Sequence, residues 1–168
     1  IPVGDRAFTD VWDTFSTPNG VVFIAPQRLF LIGKSGTRVF RPTGPRFLHA
    51  FLVGERVLVI DAEKGLFELA RDRLVLSFGA GLAAERLRGL LMWQGGLLAA
   101  TRNQGLLRHQ GQAFVPFKTE VDLQLRRDRI VDALVLPDRN LAICTHLGGV
   151  YFLGPKGEAL GHLGRAEG

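Results

Sequence analysis

A chain of 168 residues with 46% hydrophobic content is long enough for one core-bearing domain and too apolar for disorder. Its 21 Lys and Arg against 16 Asp and Glu leave a net charge of +5, spread along the chain rather than gathered into the dense basic face of a nucleic-acid binder. One cysteine, Cys144, excludes an intramolecular disulfide and a cysteine-held zinc, and no apolar run reaches the roughly 18 residues needed to cross a bilayer.

Ile1–Asp10 carries Pro2 and Gly4 and has no hydrophobic period, so it is expected to be an arm that frays or adds an edge strand elsewhere. From Val11 onward, apolar runs alternate with turn residues. The pattern predicts strands over Val11–Thr17, Val21–Ala25, Leu29–Ile32 and Arg38–Arg41, with Pro18-Asn19-Gly20 as the first hairpin turn. A second group of strands is expected over Phe47–Val53, Val57–Asp61, Leu66–Ala70 and Leu74–Phe78, and a third over Leu87–Trp93, Leu97–Thr101, Gly105–His109 and Ala113–Phe117. Leucines at 87, 90 and 91 also suit a short amphipathic helix, but register with the other groups makes Leu87–Trp93 a first strand, with a helical turn allowed at Ala83–Arg86. The fourth group covers Ile130–Leu136, Leu141–Thr145, Val150–Leu153 and Glu158–Leu160.

These groups are copies. Val57–Phe67 reads VLVIDAEKGLF, Leu97–Leu107 reads LLAATRNQGLL, Leu141–Tyr151 reads LAICTHLGGVY, and the shorter Val21–Phe30 reads VVFIAPQRLF. Starts at 21, 57, 97 and 141 give spacings of 36, 40 and 44 residues, the mark of a repeat architecture. The second strand of each copy is apolar at nearly every position, although tight turns impose antiparallel pairing, so both sheet faces must be covered. Small four-stranded sheets covered by copies of themselves are propeller blades; a two-sheet sandwich is the structural alternative. The expected fold is all-β: a β-propeller of four antiparallel four-stranded blades over 11–44, 45–82, 83–125 and 126–162, after an arm at 1–10 and before a tail at 163–168. Four blades expose apolar end faces unless they close as a small ring, belong to a larger propeller or pair with a second chain.

The repeats resemble the two-component regulator propeller family, whose blades place an L-W-I-G-T-like strand before a G-L pair. Leu97–Thr101 followed by Gly105-Leu106 keeps the threonine and the pair, and Leu141–Thr145 followed by Gly148-Gly149-Val150 keeps the threonine and a glycine pair. Asp61 and Ala25 stand in the threonine's place in the other copies, Val22, Leu58, Leu98 and Ala142 in that of the tryptophan, and Gly81-Leu82 matches the inter-blade G-L. The resemblance covers about residues 11–162. It implies a non-enzymatic sensor: the periplasmic or extracellular, ligand-binding part of a bacterial membrane-spanning signalling protein, attached to the membrane only through parent segments absent from this chain. Without the resemblance, a cytoplasmic location stays open, as do a protein-interaction scaffold and a propeller hydrolase or lyase.

Candidate sites follow from blade geometry. The loop entering a first strand and the loop leaving a second strand lie on one rim, which collects Pro26–Arg28, Ala62–Lys64, Arg102–Gln104, His146-Leu147, Gly79–Arg86 and Lys118–Arg129, the longest and most charged loops. The opposite rim is expected to hold tight turns. The ligand-binding candidates on the loop-rich rim are Glu63, Lys64, Arg102, Asn103, His146, Arg126, Arg127 and Arg129. Guanidinium groups grip carboxylate or phosphate bidentately, so a small anionic ligand, acidic sugars included, is expected there. The run Arg126-Arg127-Asp128-Arg129 has a plainer reading as a solvated loop. His49, His109, His146 and His162 show no metal-site spacing, the serines lack G-x-S-x-G, Gly79-Ala80-Gly81 is followed by no phosphate-loop lysine, and Cys144 reads as a buried apolar residue. No cofactor and no catalytic residue are expected.

Overall fold

The structure, a computed structural model, describes residues 1–8, 10–71, 73–79 and 86–164. Sixteen strands make up 58% of the described residues. They are β1 (Asp13–Thr17), β2 (Gly20–Ala25), β3 (Arg28–Gly33) and β4 (Gly36–Phe40); β5 (Phe47–Val53), β6 (Arg56–Asp61), β7 (Gly65–Ala70) and β8 (Arg73–Phe78); β9 (Leu87–Trp93), β10 (Gly96–Thr101), β11 (Gly105–Gln110) and β12 (Ala113–Pro116); β13 (Ile130–Val135), β14 (Leu141–Thr145), β15 (Gly149–Leu153) and β16 (Ala159–Leu163). Each set of four is one antiparallel sheet with its strands in sequence order, the blade of a propeller. The hairpin turns and the apolar second strands place these strands within a few residues of expectation. The largest departure is β16, which runs to Leu163 and so takes the first residue of the expected tail.

The expected two-sided burial is present. β6 is buried from Val57 to Asp61 and β10 from Leu98 to Thr101, whereas every residue of β16 is exposed. A chain segment covered on both faces has no water to alternate towards, which is why these strands read as continuous apolar runs.

By contacts the chain divides into two compact units, Ile1–Ala84 and Glu85–Gly168. In the first, Val22, Ile24 and Leu29 of the first blade pack with Phe47, Ala50 and Val59 of the second. In the second unit, Leu98 and Leu106 of the third blade pack with Ile130, Ile143 and Leu153 of the fourth, and Trp93 lies buried among them. The Trp93 indole N–H donates to the Arg139 carbonyl at 2.8 Å, so the one polar atom of the ring is satisfied across the two sheets. The Arg108 guanidinium carbon lies 5.4 Å from the Trp93 ring centre and 4.9 Å from that of Phe117, so its cation meets two π-faces where an oxygen would otherwise be required.

Two segments depart from expectation. The arm is neither frayed nor a strand: Val3–Asp5 form a single 3-10 turn, and the Asp5 carboxylate is paired with Arg28, at 3.0 Å, and with Arg41. Arg28 also donates to the Ala7 carbonyl at 2.6 Å, and the Phe8 ring stacks at a tilt on Phe30, 5.0 Å between centres. The connection Lys118–Arg129 is no simple loop, because Asp122–Asp128 fold into a short helix, α1. Seven residues are too few to declare a helical period, and α1 forms because Leu125 is fully buried in the second unit's core while Asp122 accepts from the Thr119 N–H and hydroxyl. Residues 83–85 of the helical turn expected at Ala83–Arg86, the Gly79-Ala80-Gly81 segment beyond Gly79 and the Gly81-Leu82 pair lie outside the described residues.

Trp93→Ala is expected to cost about 3–5 kcal/mol, since it opens a cavity and leaves the Arg139 carbonyl without its donor, whereas Trp12→Ala, at a half-exposed position, costs under about 1 kcal/mol. Urea denaturation followed by circular dichroism checks this; equal losses for the two contradict the assignment of Trp93 to the core.

Candidate functional site

The register fixes the two rims within every blade. Phe47 faces Asp61, Leu87 faces Thr101 and Ile130 faces Thr145, so the start of the first strand meets the end of the second. On the opposite rim, two-residue turns join the strands of the first three blades, while the fourth uses five-residue turns at 136–140 and 154–158.

On the loop-rich rim one backbone design recurs. The residue after the second strand donates its N–H to the carbonyl of the arginine before the first strand: Ala62 to Arg46 at 3.0 Å, Arg102 to Arg86 at 3.2 Å, and His146 to Arg129 at 3.0 Å. Arg102 and His146 therefore occupy equivalent positions, as their spacing from the paired threonines predicts. Each first strand from the second blade on carries one extra residue close to this point, a bulge that turns the chain end outward.

The threonine of the repeat is a turn cap. Thr101 Oγ1 donates to the Gly105 carbonyl at 2.9 Å and accepts the Gln104 N–H at 3.1 Å; Thr145 does the same with Gly149 and Gly148, at 2.9 and 3.0 Å. Asp61 does more in their place. Its fully buried carboxylate accepts the N–H groups of Glu63 and Lys64 on one oxygen, and those of Thr43 and Gly44 with the Thr43 hydroxyl on the other, all at 2.8–3.1 Å. Burial alone raises its pKa, but the donors from Gly44, Glu63, Lys64 and Thr43 together hold it below the ordinary aspartate value. The glycine that opens the third strand, Gly65, Gly105 or Gly149, has φ of 114°, 84° or 83°, where a side chain is strained. The first blade has no such glycine because only Pro26 and Gln27 link β2 to β3, with Ala25 paired directly to Arg28.

The sequence candidates separate on this frame. Glu63 and Lys64 are exposed in the first unit, where their backbone N–H groups serve Asp61. In the second unit Asn103 is exposed at the tip of the turn that begins with half-buried Arg102, and His146 and Arg129 are exposed beside α1. Arg126 and Arg127 stand on the exposed face of α1, and Arg126 reaches across: its Nε lies 4.0 Å from where a β-carbon on Gly105 would sit, at the foot of the Arg102 turn. Arg127 is turned to Asp128, with Nε to Oδ1 at 2.7 Å.

Asp128 is the residue that sequence reasoning passed over as part of a solvated charge run. It is 2% exposed, and its carboxylate also accepts the Tyr151 hydroxyl at 2.6 Å while its carbonyl accepts the N–H groups of His146 and Leu147. Its pKa is held low, first by Arg127 and then, against burial, by the Tyr151 hydroxyl and the nearby charge of His162. The His162 ring stacks on Tyr151, 4.4 Å between centres, and a β-carbon on Gly148 would fall 2.0 Å from Asp128 Oδ2. This network fixes α1 on the fourth blade. Arg86 and Arg88 were missed as well. Burial, followed by the like charges of Arg102 and Arg86, keeps the Arg88 pKa below the ordinary arginine value, so Arg88 feels both of these cations. The first unit holds a hollow of about 410 Å³ between Ala7, Phe8, Pro26, Gln27 and Arg28, and the second unit one of about 520 Å³ where Lys118, Thr119 and Glu120 meet Lys156, Gly157 and Glu158 of the 154–158 turn.

No family model and no curated protein matches the chain. Solved structures do. One, described as the extracellular domain of a hybrid two component system from B. thetaiotaomicron, is 15% identical with a TM-score of 0.59, over 88% of this chain and 21% of its own. Another, described as the extracellular domain of a one component system from the same organism, is 10% identical with a TM-score of 0.70, over 98% and 26%. A protein of unknown function from Bacteroides caccae is 11% identical, with a TM-score of 0.57 over 91% and 60%. At such identities the likeness is one of fold. The chain spans 21–26% of the length of the first two.

Asp61→Ala, which orphans four backbone N–H groups, is expected to cost about 3 kcal/mol at pH 7. Because the folded pKa lies below the ordinary value of 3.8, the contribution is complete above that value and is lost as pH falls through the lowered one. Urea denaturation at pH 7 and pH 3 checks the sign: the gap between wild type and variant narrows at pH 3, and a gap that widens contradicts it.

Proposed function

We propose that this chain is a ligand-sensing segment of a propeller in a bacterial signalling receptor, lying on the extracytoplasmic side, without enzymatic activity of its own. The observation that carries the reading is the inequality of the rims: side-chain caps and inter-loop hydrogen bonds hold the second strands' exits rigidly, and beyond them the chain exposes Lys64, His146, Arg126 and Arg129. Loops on a rigid scaffold are where recognition resides. Extracellular domains of two component and one component systems with similar folds support the sensing role and the location.

The ligand is a small anionic molecule or acidic carbohydrate bound on this rim, within reach of Arg102, Asn103, His146, Arg126 and Arg129. Arg127 serves chiefly to neutralise Asp128, and Glu63 with Lys64 belongs to the equivalent turn of the second blade. A protein-recognition role for the same rim draws on Leu123 and Leu147, which are 80% and 60% exposed.

A thermal-shift screen of anionic and neutral small molecules tests the reading, since a ligand at a hundred times its Kd stabilises the fold by about 2.7 kcal/mol. Anionic compounds are expected to raise the melting temperature, with the shift lost in Arg102→Ala and kept in Glu55→Ala on the opposite rim. A shift lost in Glu55→Ala and kept in Arg102→Ala moves the site to the other rim and overturns the assignment; turnover of the stabilising compound overturns the non-enzymatic role.

A further inference from the structure

Two arginines of the second unit, Arg86 and Arg126, approach the Arg102 turn from separate parts of the chain, and Arg129 lies one blade on, before β13. Arg86 and Arg129 each precede a first strand and hold φ of 52° and 61°, a left-handed backbone that non-glycine residues seldom adopt outside functional sites and special turns. The carbonyl of Arg86 binds the Arg102 N–H, and Arg126 leans from α1 over Gly105, at the other end of the same turn. Among the described residues the ion pairs engage Arg28, Arg41, Arg56 and Arg127, and none engages Arg86, Arg102, Arg126 or Arg129. Neighbouring Arg88 senses the positive charge of both Arg86 and Arg102. Like charges gathered so on a rim repel one another, and a polyvalent anion relieves that repulsion on binding.

We infer that Arg86, Arg102 and Arg126 form the seat of a multiply charged oxyanion. This rests on the recognition role proposed above and narrows it to ligands bearing at least two carboxylate or phosphate groups. Two guanidinium groups on either side of one turn cannot both serve a single monovalent carboxylate in bidentate fashion, whereas a ligand with two anionic ends gives each its own partner. The Asp128 network supports the seat indirectly, because it fixes the helix that carries Arg126 and withdraws Arg127 from competition.

Isothermal titration calorimetry on the 168-residue chain, at fixed ionic strength, with pyrophosphate and citrate as probes, tests this. One anion per chain is expected to bind, about ten-fold more weakly in each of Arg86→Gln, Arg102→Gln and Arg126→Gln, and unchanged in Arg73→Gln, which removes the same charge at a turn on the opposite rim. Whichever probe binds better tells phosphate from carboxylate chemistry. Absence of binding by both probes, or equal weakening in Arg73→Gln, overturns the seat. Melting curves at low salt give a second readout: Arg102→Gln is expected to raise the melting temperature by relieving repulsion, and a fall marks Arg102 as structural. If neither probe binds while a neutral compound stabilises the wild type and the combined Arg86→Gln, Arg102→Gln, Arg126→Gln variant alike, the recognition role stands and the arginine seat falls.

Discussion

A sheet wrapped on both faces leaves the end of its second strand away from water, and the second, third and fourth blades depend on how the backbone groups at that end are satisfied. Strand pairing stops there, three further residues must reverse the chain, and the N–H groups of the reversal would otherwise be buried without acceptors. One short side chain answers the need. A threonine hydroxyl both donates and accepts, so it closes the turn on Gly105 or Gly149 alone, whereas the Asp61 carboxylate only accepts and so gathers donors from two segments, its own turn and Thr43-Gly44. The substitution of aspartate for threonine therefore comes with a rearranged neighbouring segment.

The same logic explains why buried and exposed charge lie so close together on this rim. Asp128 is buried but has Tyr151 and Arg127 on its carboxylate and two N–H groups on its carbonyl, so its desolvation is offset locally. Arg86, Arg102, Arg126 and Arg129 enter no such ion pair among the described residues, and Arg86, Arg126 and Arg129 are exposed. Structural carboxylates and recognition cations thus divide the work: the former hold the turns and the helix in place, and the latter meet what arrives from solvent.

The blades were legible because two independent signals, turn residues at regular intervals and apolar runs of strand length, point to the same boundaries. β5, β9 and β14 have the ends expected of them. What escaped was decided by tertiary contacts. Asp5 finds Arg28 and Arg41, residues 23 and 36 positions away, and nothing in the polar, aperiodic sequence of the arm reveals that pairing. Leu123 of α1 is exposed and Leu125 buried, so the helix gives no apolar stripe to read. Asp128, flanked by arginines, has the composition of a solvated run, and only Tyr151, in a strand of the same blade, makes it an interior residue. Of the rim candidates, Arg102 and His146 were located by register, while Arg86 fell within a loop assigned to the rim, Gly79–Arg86, but had no counterpart in the repeat to single it out.

The capped turn has a consequence for how such a protein changes over generations. Because one hydroxyl is bonded to both ends of the reversal, the side chains between them, Arg102 and Asn103 in one blade, His146 and Leu147 in the next, project from a loop whose shape they do not determine. The chemistry presented to solvent is therefore free to change from cationic to aromatic to apolar while the hydroxyl keeps the turn closed.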